Sequence, residues 1–410
     1  MASALPRETP ARAAPARPRK GSARLWWHVH QWAGLKLSIF LSFVLFTGTL
    51  AVVAHEIDWL LTPSLRVSPS SVEGSPDWAA IADEALTHPS TGKVRYIAAP
   101  VASAFAARVM IERRDGTDGY LHAHPGTGAI QGETGFVDAQ RVLRNLHRHL
   151  NLPTRVGVPI VSALGLLLAV SLVTSLVVYK RWWRGFFRPI RRRDARTAWG
   201  DFHRLAGLWS LWFVALIAAT GVWYLIESLG GDAPPMPRAE AHTEAMPDGP
   251  ALSASLKRAL AAVRRHDPDL RIESIRFPDA ESPAFVIEGQ RSAWLVRPRA
   301  NSVWADAGDG AVLLRTDARD LSAHQRISEA ADPLHFGTFG GYWTKVPWFL
   351  FGLSLTGLSV SGVAIHALRL SRAAREGAAA LAWRGMGPWR WVAVAAVATG
   401  FVMLPALFPG

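Results

Sequence analysis

The chain has 410 residues and contains no cysteine. This absence excludes disulfide bonds, thiolate metal sites, iron–sulfur clusters and covalently attached c-type haem, all of which need cysteine sulfur. A metal centre in this protein therefore has to use histidine or carboxylate ligands. The sequence also lacks a glycine-rich phosphate loop and a His-Glu-x-x-His zinc motif. It shows no nucleotide or flavin domain, so electrons for any redox reaction must come from another molecule.

Acidic residues are scarce relative to basic ones. The chain has 32 Asp and Glu against 45 Lys and Arg, which gives a formal charge of +13. A basic balance of this size can indicate nucleic-acid binding. Here, however, the basic residues flank long apolar segments, where the orientation of membrane proteins already accounts for them. No nucleic-acid partner is therefore expected.

Half of the residues are hydrophobic, and they gather in five long runs. The runs cover residues 35–54, 156–179, 205–226, 348–368 and 388–408. Each is close to the ~20 residues that a helix needs to cross a hydrocarbon core about 30 Å thick. The sequence therefore predicts a membrane all-α bundle with five spans, and membrane lipid as a partner.

Lysine and arginine cluster before the first run, between the second and third, and between the fourth and fifth. All three clusters lie on one side if every run spans the membrane, and positively charged loops stay in the cytoplasm. The N-terminus is therefore expected to be cytoplasmic. The predicted divisions are a basic tail (1–25), spans at 26–60, 147–181, 201–228, 335–370 and 388–410, cytoplasmic links at 182–200 and 371–387, and external segments at 61–146 and 229–334.

The two external segments are polar, and each is expected to fold as a small α+β module. In the first, a helical pattern at residues 77–88 precedes predicted strands at 94–98, 105–112 and 120–123. In the second, a helical pattern at 253–265 precedes predicted strands at 271–277, 284–288 and 293–296. Clusters of Gly and Asp at 115–119 and 308–310 are typical of turns.

The two halves of the chain repeat the same spacing around four histidines. His30 and His203 each open an His-x-x-x-Gly-Leu sequence, and Thr-Gly follows 17 residues after each histidine. His147 and His335 each follow a leucine, and each has a proline 12 residues later, preceded by valine. These matching spacings predict two parallel repeats of span, module and span, to which the fifth span is added.

Histidine is rare inside membranes because its polar ring needs a partner there, so an intramembrane histidine indicates a functional site. The repeat places His30 and His203 at the cytoplasmic ends of spans one and three, and His147 and His335 at the outer ends of spans two and four. Equivalent residues on pseudo-symmetric helices can hold a cofactor between them. Haem iron takes two axial ligands from opposite faces, and neutral imidazole suits iron. The sequence therefore predicts two b-type haems, whose irons are bound by these four histidines.

Two glycines and two further histidines bear on this prediction. Gly34 and Gly207 lie one helical turn after the inner histidines, where a missing side chain would leave room for a flat porphyrin. His55 lies 25 residues after His30, which returns it to nearly the same helix face at the outer end, so it is an alternative outer ligand. His366, at the inner end of span four, is an alternative inner ligand.

The two His-x-x-x-Gly-Leu openings, the Glu56-Ile57-Asp58 exit from span one and the Leu334-His335-Phe336-Gly337 sequence resemble the PepSY-associated transmembrane family. The resemblance covers about residues 25–370. Phe202 replaces the leucine that usually precedes the histidine of the third span, and the fifth span is not universal in the family. Members are bacterial inner-membrane proteins with PepSY-like periplasmic modules, and they are often associated with iron uptake.

One branch of this family is similar to dihaem reductases of ferric siderophores. The resemblance implies haem b on the four histidines, and reduction of a periplasmic ferric siderophore with electrons from a quinol or a cytoplasmic reductase. The basic residues of the second module offer a surface for an anionic chelate, with an ordinary solvated basic face as the alternative: Arg271, Arg276, Arg291, Arg297 and Arg299. Two other functions remain open, a non-enzymatic PepSY module that binds or regulates an envelope protein, and a transporter, which only the repeat suggests.

Overall fold

The computed structural model describes residues 21–68, 74–239, 247, 249–280, 282–371 and 377–407. Residues 1–20 of the predicted basic tail, 372–376 of the second link and 408–410 of the fifth span lie outside this part. The helices are α1 (Gly21–Leu35), α2 (Ser38–Val52), α3 (Ala54–Leu61), α4 (Trp78–Thr87), α5 (Ala139–His149), α6 (Thr154–Ser162), α7 (Leu164–Val178), α8 (Ala195–Trp209), α9 (Leu211–Ser228), α10 (Gly249–His266), α11 (Ala323–Phe336), α12 (Tyr342–Ser371), α13 (Ala378–Gly385) and α14 (Trp389–Val402). The strands are β1 (Thr91–Ala98), β2 (Ala107–Arg113), β3 (Asp118–Ala123), β4 (Ile130–Gly135), β5 (Arg271–Arg276), β6 (Ala284–Gln290), β7 (Ser302–Asp306) and β8 (Val312–Arg315).

The described chain has the helices of a multi-pass membrane protein. Four segments are long and apolar enough to cross a bilayer: residues 154–178, 211–231, 342–370 and 389–407. A fifth segment consists of residues 24–35 and 38–52, which are bent by 62° where α1 meets α2. The described part therefore contains four spans, or five if the bent pair is counted as one.

The histidine motif lies on a separate helix before the apolar helix in both halves. α1 ends at Leu35 and α2 begins at Ser38, while α8 and α9 are divided at Ser210. Ser210 is fully buried, and its hydroxyl oxygen lies 2.7 Å from Ser354 Oγ on α12. From the sequence, each motif was expected to form the first turns of a span. Hydropathy does not detect these breaks, because the residues on both sides of them are apolar.

Two equivalent helix contacts join the two halves of the bundle. α2 packs along α12, and α7 packs along α9. Within each half, α1 packs against α7 and α8 packs against α12. The additional helix α14 packs against α2, where the ring centres of Phe43 and Phe401 are 5.7 Å apart. The repeat in the sequence is therefore a repeat of helix packing as well.

The two external segments form one sheet rather than two separate modules. Its strand order is β4-β3-β2-β1-β5-β6-β7-β8, and β1 pairs antiparallel with β5, with Ile97 opposite Ile275. Residues of α4, α10 and both sets of strands share one hydrophobic core. The sheet follows α2 and α9 in the chain and precedes α6 and α12, so it marks one end of the bundle, here called the sheet end. The opposite end is called the far end.

The strands differ from the prediction in four places. β4, β7 and β8 were not predicted, whereas residues 293–296 do not form the predicted strand. Leu295 has a φ of 55°, a left-handed backbone angle that cannot continue a strand. Pro298 then begins a 3-10 turn. The apolar residues at 293–296 belong to a loop between β6 and β7, and alternation alone misassigned them.

Candidate functional site

The histidines at the far end form a close pair. His30 on α1 and His203 on α8 have ring centres 6.5 Å apart, with their planes at 77°. His30 Nδ1 lies 3.1 Å from the carbonyl oxygen of Ser171 and 3.1 Å from Thr174 Oγ1, both on α7. His203 Nδ1 lies 2.8 Å from Ser361 Oγ on α12. Each ring is therefore held by the spanning helix of its own half.

The other two histidines form a second pair at the sheet end. His147 on α5 and His335 on α11 have ring centres 6.0 Å apart, with their planes at 37°. His147 Nδ1 donates a hydrogen bond of 2.8 Å to the carbonyl oxygen of Val44 on α2. His335 Nδ1 lies 2.7 Å from Thr220 Oγ1 on α9. The structure thus brings together the same two pairs that the repeat in the sequence groups.

Helix caps fix the outer histidines in the last turns of short helices. Asp138 accepts a hydrogen bond at the start of α5, and α5 ends at Leu150, which has a left-handed φ of 56°. Ser322 and Gln325 form a capping box at the start of α11, which ends at Gly337 with a φ of 70°. Such caps satisfy backbone groups that the helix ends leave without partners. They therefore set where each helix stops and how its last turn faces the bundle.

Both ring distances fit two imidazoles bound to one iron. A metal–nitrogen bond of about 2 Å on each side places the ring centres about 6 Å apart. In all four rings, the protein holds Nδ1, which leaves Nε2 for a metal. A hydrogen bond of this kind orients a histidine ligand. No group of three or more His, Cys, Asp or Glu within the described residues could hold a metal ion, but a porphyrin supplies four ligands itself and needs only two from the protein.

Glycines leave space beside both pairs. A Cβ added to Gly34 would meet no atom within 4 Å, and one added to Gly207 would meet only Leu358 Cδ2, at 3.6 Å. A Cβ added to Gly48 on α2 would lie 2.5 Å from His147 Cε1. Gly48 therefore provides the space that the His147 ring fills, and Gly34 and Gly207 leave open space near the inner pair. In the sequence, Gly48 was noted only as part of the repeated Thr-Gly pair, and its role beside His147 was not predicted.

A cavity of about 550 Å³ opens beside the outer pair. Both His147 and His335 line it, and its volume lies in the range of about 300–1,000 Å³ that is usual for ligand and cofactor pockets. Its lining combines apolar residues of the spans with charged residues at the sheet end: Leu41, Val44, Leu164, Leu168 and Ile217, and Arg144, Arg148, Arg155, Arg297 and Asp332. A flat group that is apolar at its centre and anionic at one edge suits such a lining.

A larger cleft of about 1030 Å³ lies against the polar face of the sheet. Tyr96 of β1, Ser274 of β5 and Trp304 of β7 line it. The residues that line both this cleft and the outer cavity are Arg148, Glu227, Asp232, Arg297 and Arg299. A ligand in the cleft would therefore lie next to the outer histidine pair.

The two alternative ligands do not belong to either ring pair. His55 lines a third cavity of about 570 Å³, together with Lys345, and the neighbouring Glu56 accepts a 2.6 Å hydrogen bond from that lysine. His366 Nδ1 accepts a hydrogen bond from Gln31 Nε2. Within the described residues, no ring contact joins His55 or His366 to another histidine.

The expected basic surface of the second module is largely neutralised by carboxylates. The ion pairs are Arg271 with Glu273, Arg276 with Glu288, Arg291 with Asp267, and Arg297 and Arg299 with Glu329. The Arg291 side chain is only 3% exposed, so it is not a surface residue at all. The prediction was wrong for Arg291 and overlooked the acidic partners of the others. Some of those partners, such as Glu329, lie about 30 residues away in sequence and could not be assigned without the fold.

A family model described as PepSY-associated TM region matches residues 27–369, which is more than half of the chain. The matched region contains both histidine pairs, the sheet and most of the bent pair of helices at the start of the bundle. No protein with curated annotation matches the chain.

Proposed function

Because the chain belongs to the PepSY-associated transmembrane family, we propose that it is a dihaem b-type cytochrome of the bacterial inner membrane. In this proposal it passes electrons across the membrane and reduces a ferric siderophore in the periplasm. The observation that carries the proposal is the pair of imidazole rings at each end of the bundle, with centres 6.5 and 6.0 Å apart. Two haem sites at opposite ends of one bundle are the arrangement that transmembrane electron transfer needs.

The basic residues indicate the orientation of the protein in the membrane. The link between α7 and α8 carries Arg181, Arg184, Arg188, Arg192 and Arg193 at the far end of the bundle. Positive charge of this kind stays on the cytoplasmic side. The far end, with His30 and His203, is then cytoplasmic, as is the N-terminus. The sheet end, with His147 and His335, is then periplasmic.

The protein residues position the ligands, and the haems supply a one-electron couple when bound. The hydrogen bonds to Nδ1 hold each imidazole in a single orientation, so that Nε2 is the atom offered to iron. The donor that reduces the inner site is a quinol or a cytoplasmic reductase, because the sequence contains no flavin or nucleotide domain.

The cleft at the sheet end is the proposed binding site for the ferric chelate. Its volume of about 1030 Å³ is large enough for such a ligand, and it adjoins the cavity of the outer histidine pair. Each ferric ion would accept one electron and become ferrous. Siderophores bind iron through hard oxygen ligands, which hold Fe(II) more weakly than Fe(III). Reduction in the cleft would therefore release the iron.

The spectrum of the purified protein tests the cytochrome part of the proposal. We expect a reduced-minus-oxidised spectrum with haem b bands, and a pyridine haemochrome that identifies protohaem, at about two per chain. Because no cysteine is present, acid–acetone should extract all of it. Purified protein without a Soret band, even when haem is supplied during expression, would rule out the cytochrome.

A reoxidation experiment tests the substrate. Protein reduced with dithionite and freed of excess reductant is mixed anaerobically with a ferric siderophore and the ferrous trap ferrozine. We expect haem oxidation and trapped ferrous iron to appear together, with one ferrous ion for each haem oxidised. The control is the corresponding aluminium or gallium chelate, which cannot be reduced in this way. If haem stays reduced with every ferric chelate while an envelope protein copurifies, the function is that of a binding module.

A further inference from the structure

Two arginines lie close to the outer histidine on α5. Arg144 lies one turn before His147, and Arg148 lies beside it in sequence. Residues three and four positions apart share a helix face, with Cβ atoms about 5–6 Å apart. All three side chains line the cavity beside His335. The histidine is therefore offered to this cavity together with two cationic groups.

Within the described residues, Arg144 and Arg148 differ from Arg297 and Arg299 of the same cavity because no carboxylate pairs with them. The exposed Arg155, which lines the cavity from α6, has no partner there either. Within the part of the chain that the structure describes, neither Arg144 nor Arg148 donates a hydrogen bond or forms an ion pair within 4 Å. By contrast, Arg297 is bound by Glu329 at 2.8 Å and by Asp332 at 3.0 Å. Carboxylates thus balance the charge of Arg297 in the second half. The charges of Arg144 and Arg148 on α5 have no such partner among the described residues.

The surroundings of Arg144 favour an anion beside its guanidinium. The side chain lines both the cavity of the outer pair and the cavity at His55. Burial is the largest cause that lowers the pKa of Arg144, and the nearby charge of Arg148 lowers it further. Asp332 is the carboxylate that opposes this, but it already accepts hydrogen bonds from Tyr224 and Arg297. The Arg144 and Arg148 side chains are both exposed at the cavity wall, and their neighbouring positive charges are only partly offset, so an anion in the cavity would stabilise them.

The repeat does not explain these two arginines. The positions of the second half that correspond to Arg144 and Arg148 are Asp332, three residues before His335, and Phe336, directly after it. The packing of the two halves therefore does not require a basic residue at either place. The charge is specific to one side of the outer site.

We propose that Arg144 and Arg148 bind the carboxylates of the porphyrin that is held between His147 and His335. The inference rests on the function proposed above, and it assigns the orientation of the outer group, with its two carboxylates toward α5 and the sheet end. The planar guanidinium matches a carboxylate with two parallel hydrogen bonds, so two arginines match two carboxylates. Apolar residues of the spans, such as Leu164 and Leu168, line the same cavity.

Haem loss from the full-length protein tests this assignment. Purified protein in detergent is mixed with excess apomyoglobin, and the transfer of haem is followed at the Soret band. The phase that belongs to the outer site is the one missing in His335→Ala. We expect the Arg144→Gln, Arg148→Gln double variant to lose the outer haem at least about tenfold faster than the unaltered chain, with the inner phase unchanged. If Arg144 is replaced by Lys rather than Gln in the double variant, the charge at this position is kept, and the outer haem should be lost more slowly.

A porphyrin without carboxylates separates charge recognition from a general defect. Protein from haem-depleted cells is loaded with protohaem or with its dimethyl ester. The double variant should weaken retention of protohaem and leave retention of the ester equal to that in the unaltered protein. As a matched control, Arg265→Gln removes the same charge from an exposed position on α10 that lines none of the three cavities, and it should change neither.

Three results would overturn the inference while leaving the proposed function intact. The first is an unchanged rate of protohaem loss in the double variant. The second is equal acceleration for protohaem and its ester, which would indicate a structural defect. The third is unchanged haem retention with slower oxidation by an anionic ferric chelate, which would assign the arginines to the substrate. An unaltered protein that binds no haem would overturn the proposed function instead, and this inference with it.

Discussion

At the residue scale, the four paired imidazoles are all held through the same ring nitrogen, but by different groups. The partners are the Ser171 carbonyl and Thr174 hydroxyl, the Ser361 hydroxyl, the Val44 carbonyl and the Thr220 hydroxyl. A carbonyl oxygen can only accept, so it fixes the proton of His147 on Nδ1. The Ser171 carbonyl does the same for His30. The hydroxyl partners of His203 and His335 can donate or accept, so those two rings can adopt either neutral tautomer. The outer site therefore has one ring, His147, whose neutral tautomer is set by the backbone.

Replacing one histidine of a pair should empty one haem site and spare the other. His30→Ala and His203→Ala should each remove the far-end haem, whereas His147→Ala and His335→Ala should each remove the sheet-end haem. The physical reason is that each iron loses one of only two protein ligands. Haem content by pyridine haemochrome should fall by about half in all four variants. Redox titration should show the same component missing within each pair.

The unpaired histidines are the controls for this experiment. His55→Ala and His366→Ala should keep both haems, because neither ring contacts another histidine within the described residues. If His55→Ala rather than His147→Ala empties the sheet-end site, the assignment of the outer pair is wrong. Loss of the far-end haem from His366→Ala would count against His30 or His203 in the same way.

The sequence could name the paired histidines because their spacing recurs in both halves. It could not find the arginines that flank His147, since a single basic residue near a span end is ordinary in membrane proteins. What distinguishes Arg144 and Arg148 from Arg297 is that neither has a partner among the described residues, and this depends on where distant carboxylates lie. Glu329 and Asp332, for example, are bound by Arg297. Such information is available only from the fold.

At the scale of elements, the pairing of β1 with β5 is the contact that turns two modules into one sheet. Three residue pairs form it: Tyr96 with Arg276, Ile97 with Ile275, and Ala98 with Ser274. The hydrogen bonds of Ala99 with Glu273 and of Phe277 with Arg95 flank these pairs. The sequence predicted β1 and β5 as strands but not their pairing, because an edge strand can accept any partner with a free edge. The helical spans, five of the eight strands and the repeat could be predicted, whereas β4, β7, β8 and the order of the strands in the sheet could not.

A disulfide between β1 and β5 should form when both strands carry a cysteine. Ala98 and Ser274 lie opposite each other without sharing hydrogen bonds, and such antiparallel pairs have Cα atoms about 4.5 Å apart, within the range of disulfides. The natural chain has no cysteine, so Ala98→Cys with Ser274→Cys introduces the only two thiols. Mild oxidation should join them, and mass spectrometry of the digested protein should show the linked peptides.

A mismatched pair tests the register of the same sheet. Ser302 on β7 lies in the same row as Ala98, since Ala98 pairs with Ser274, Ser274 with Glu288, and Glu288 with Ser302. Three strand spacings separate Ala98 from Ser302, or about 14 Å. Ala98→Cys with Ser302→Cys should therefore stay reduced under the same conditions. Efficient linkage of this pair, or none of the first, would contradict the eight-stranded sheet.

At the scale of the whole molecule, the joined sheet constrains how the chain crosses the membrane. The first module lies between α3 and α5, and the second lies between α9 and α11. Because strands of both modules share one sheet, both must lie on the same side of the bilayer. An even number of crossings must therefore separate them, and α6–α7 and α9 provide two. The bent pair α1 and α2 then has to bring the chain across once if the N-terminus is on the opposite side.

This arrangement predicts which positions an impermeant reagent can reach in spheroplasts. Ser103→Cys in the first module and Ser282→Cys in the second should both react with an impermeant maleimide while the inner membrane is intact. Arg192→Cys, which is exposed in the basic link at the far end, should react only after lysis. The reason is that arginine-rich links tend to stay in the cytoplasm, and with the link there the sheet would lie in the periplasm, as proposed above. The absence of natural cysteine means that each variant reports a single site.

The pattern of labelling separates an error of orientation from an error of fold. If Ser103→Cys and Ser282→Cys react only after lysis and Arg192→Cys reacts before it, the orientation is inverted, and the outer pair of histidines faces the cytoplasm. A siderophore in the periplasm could then not reach the cleft, so the proposed substrate would be wrong although both haem sites could remain. If only one of the two module positions reacts before lysis, the modules lie on opposite sides of the membrane and cannot share a sheet. The pairing of β1 with β5 is then wrong. Labelling of both module positions before lysis and of Arg192→Cys only after it is the one result that agrees with the sheet, the positive charges and a periplasmic site for reduction.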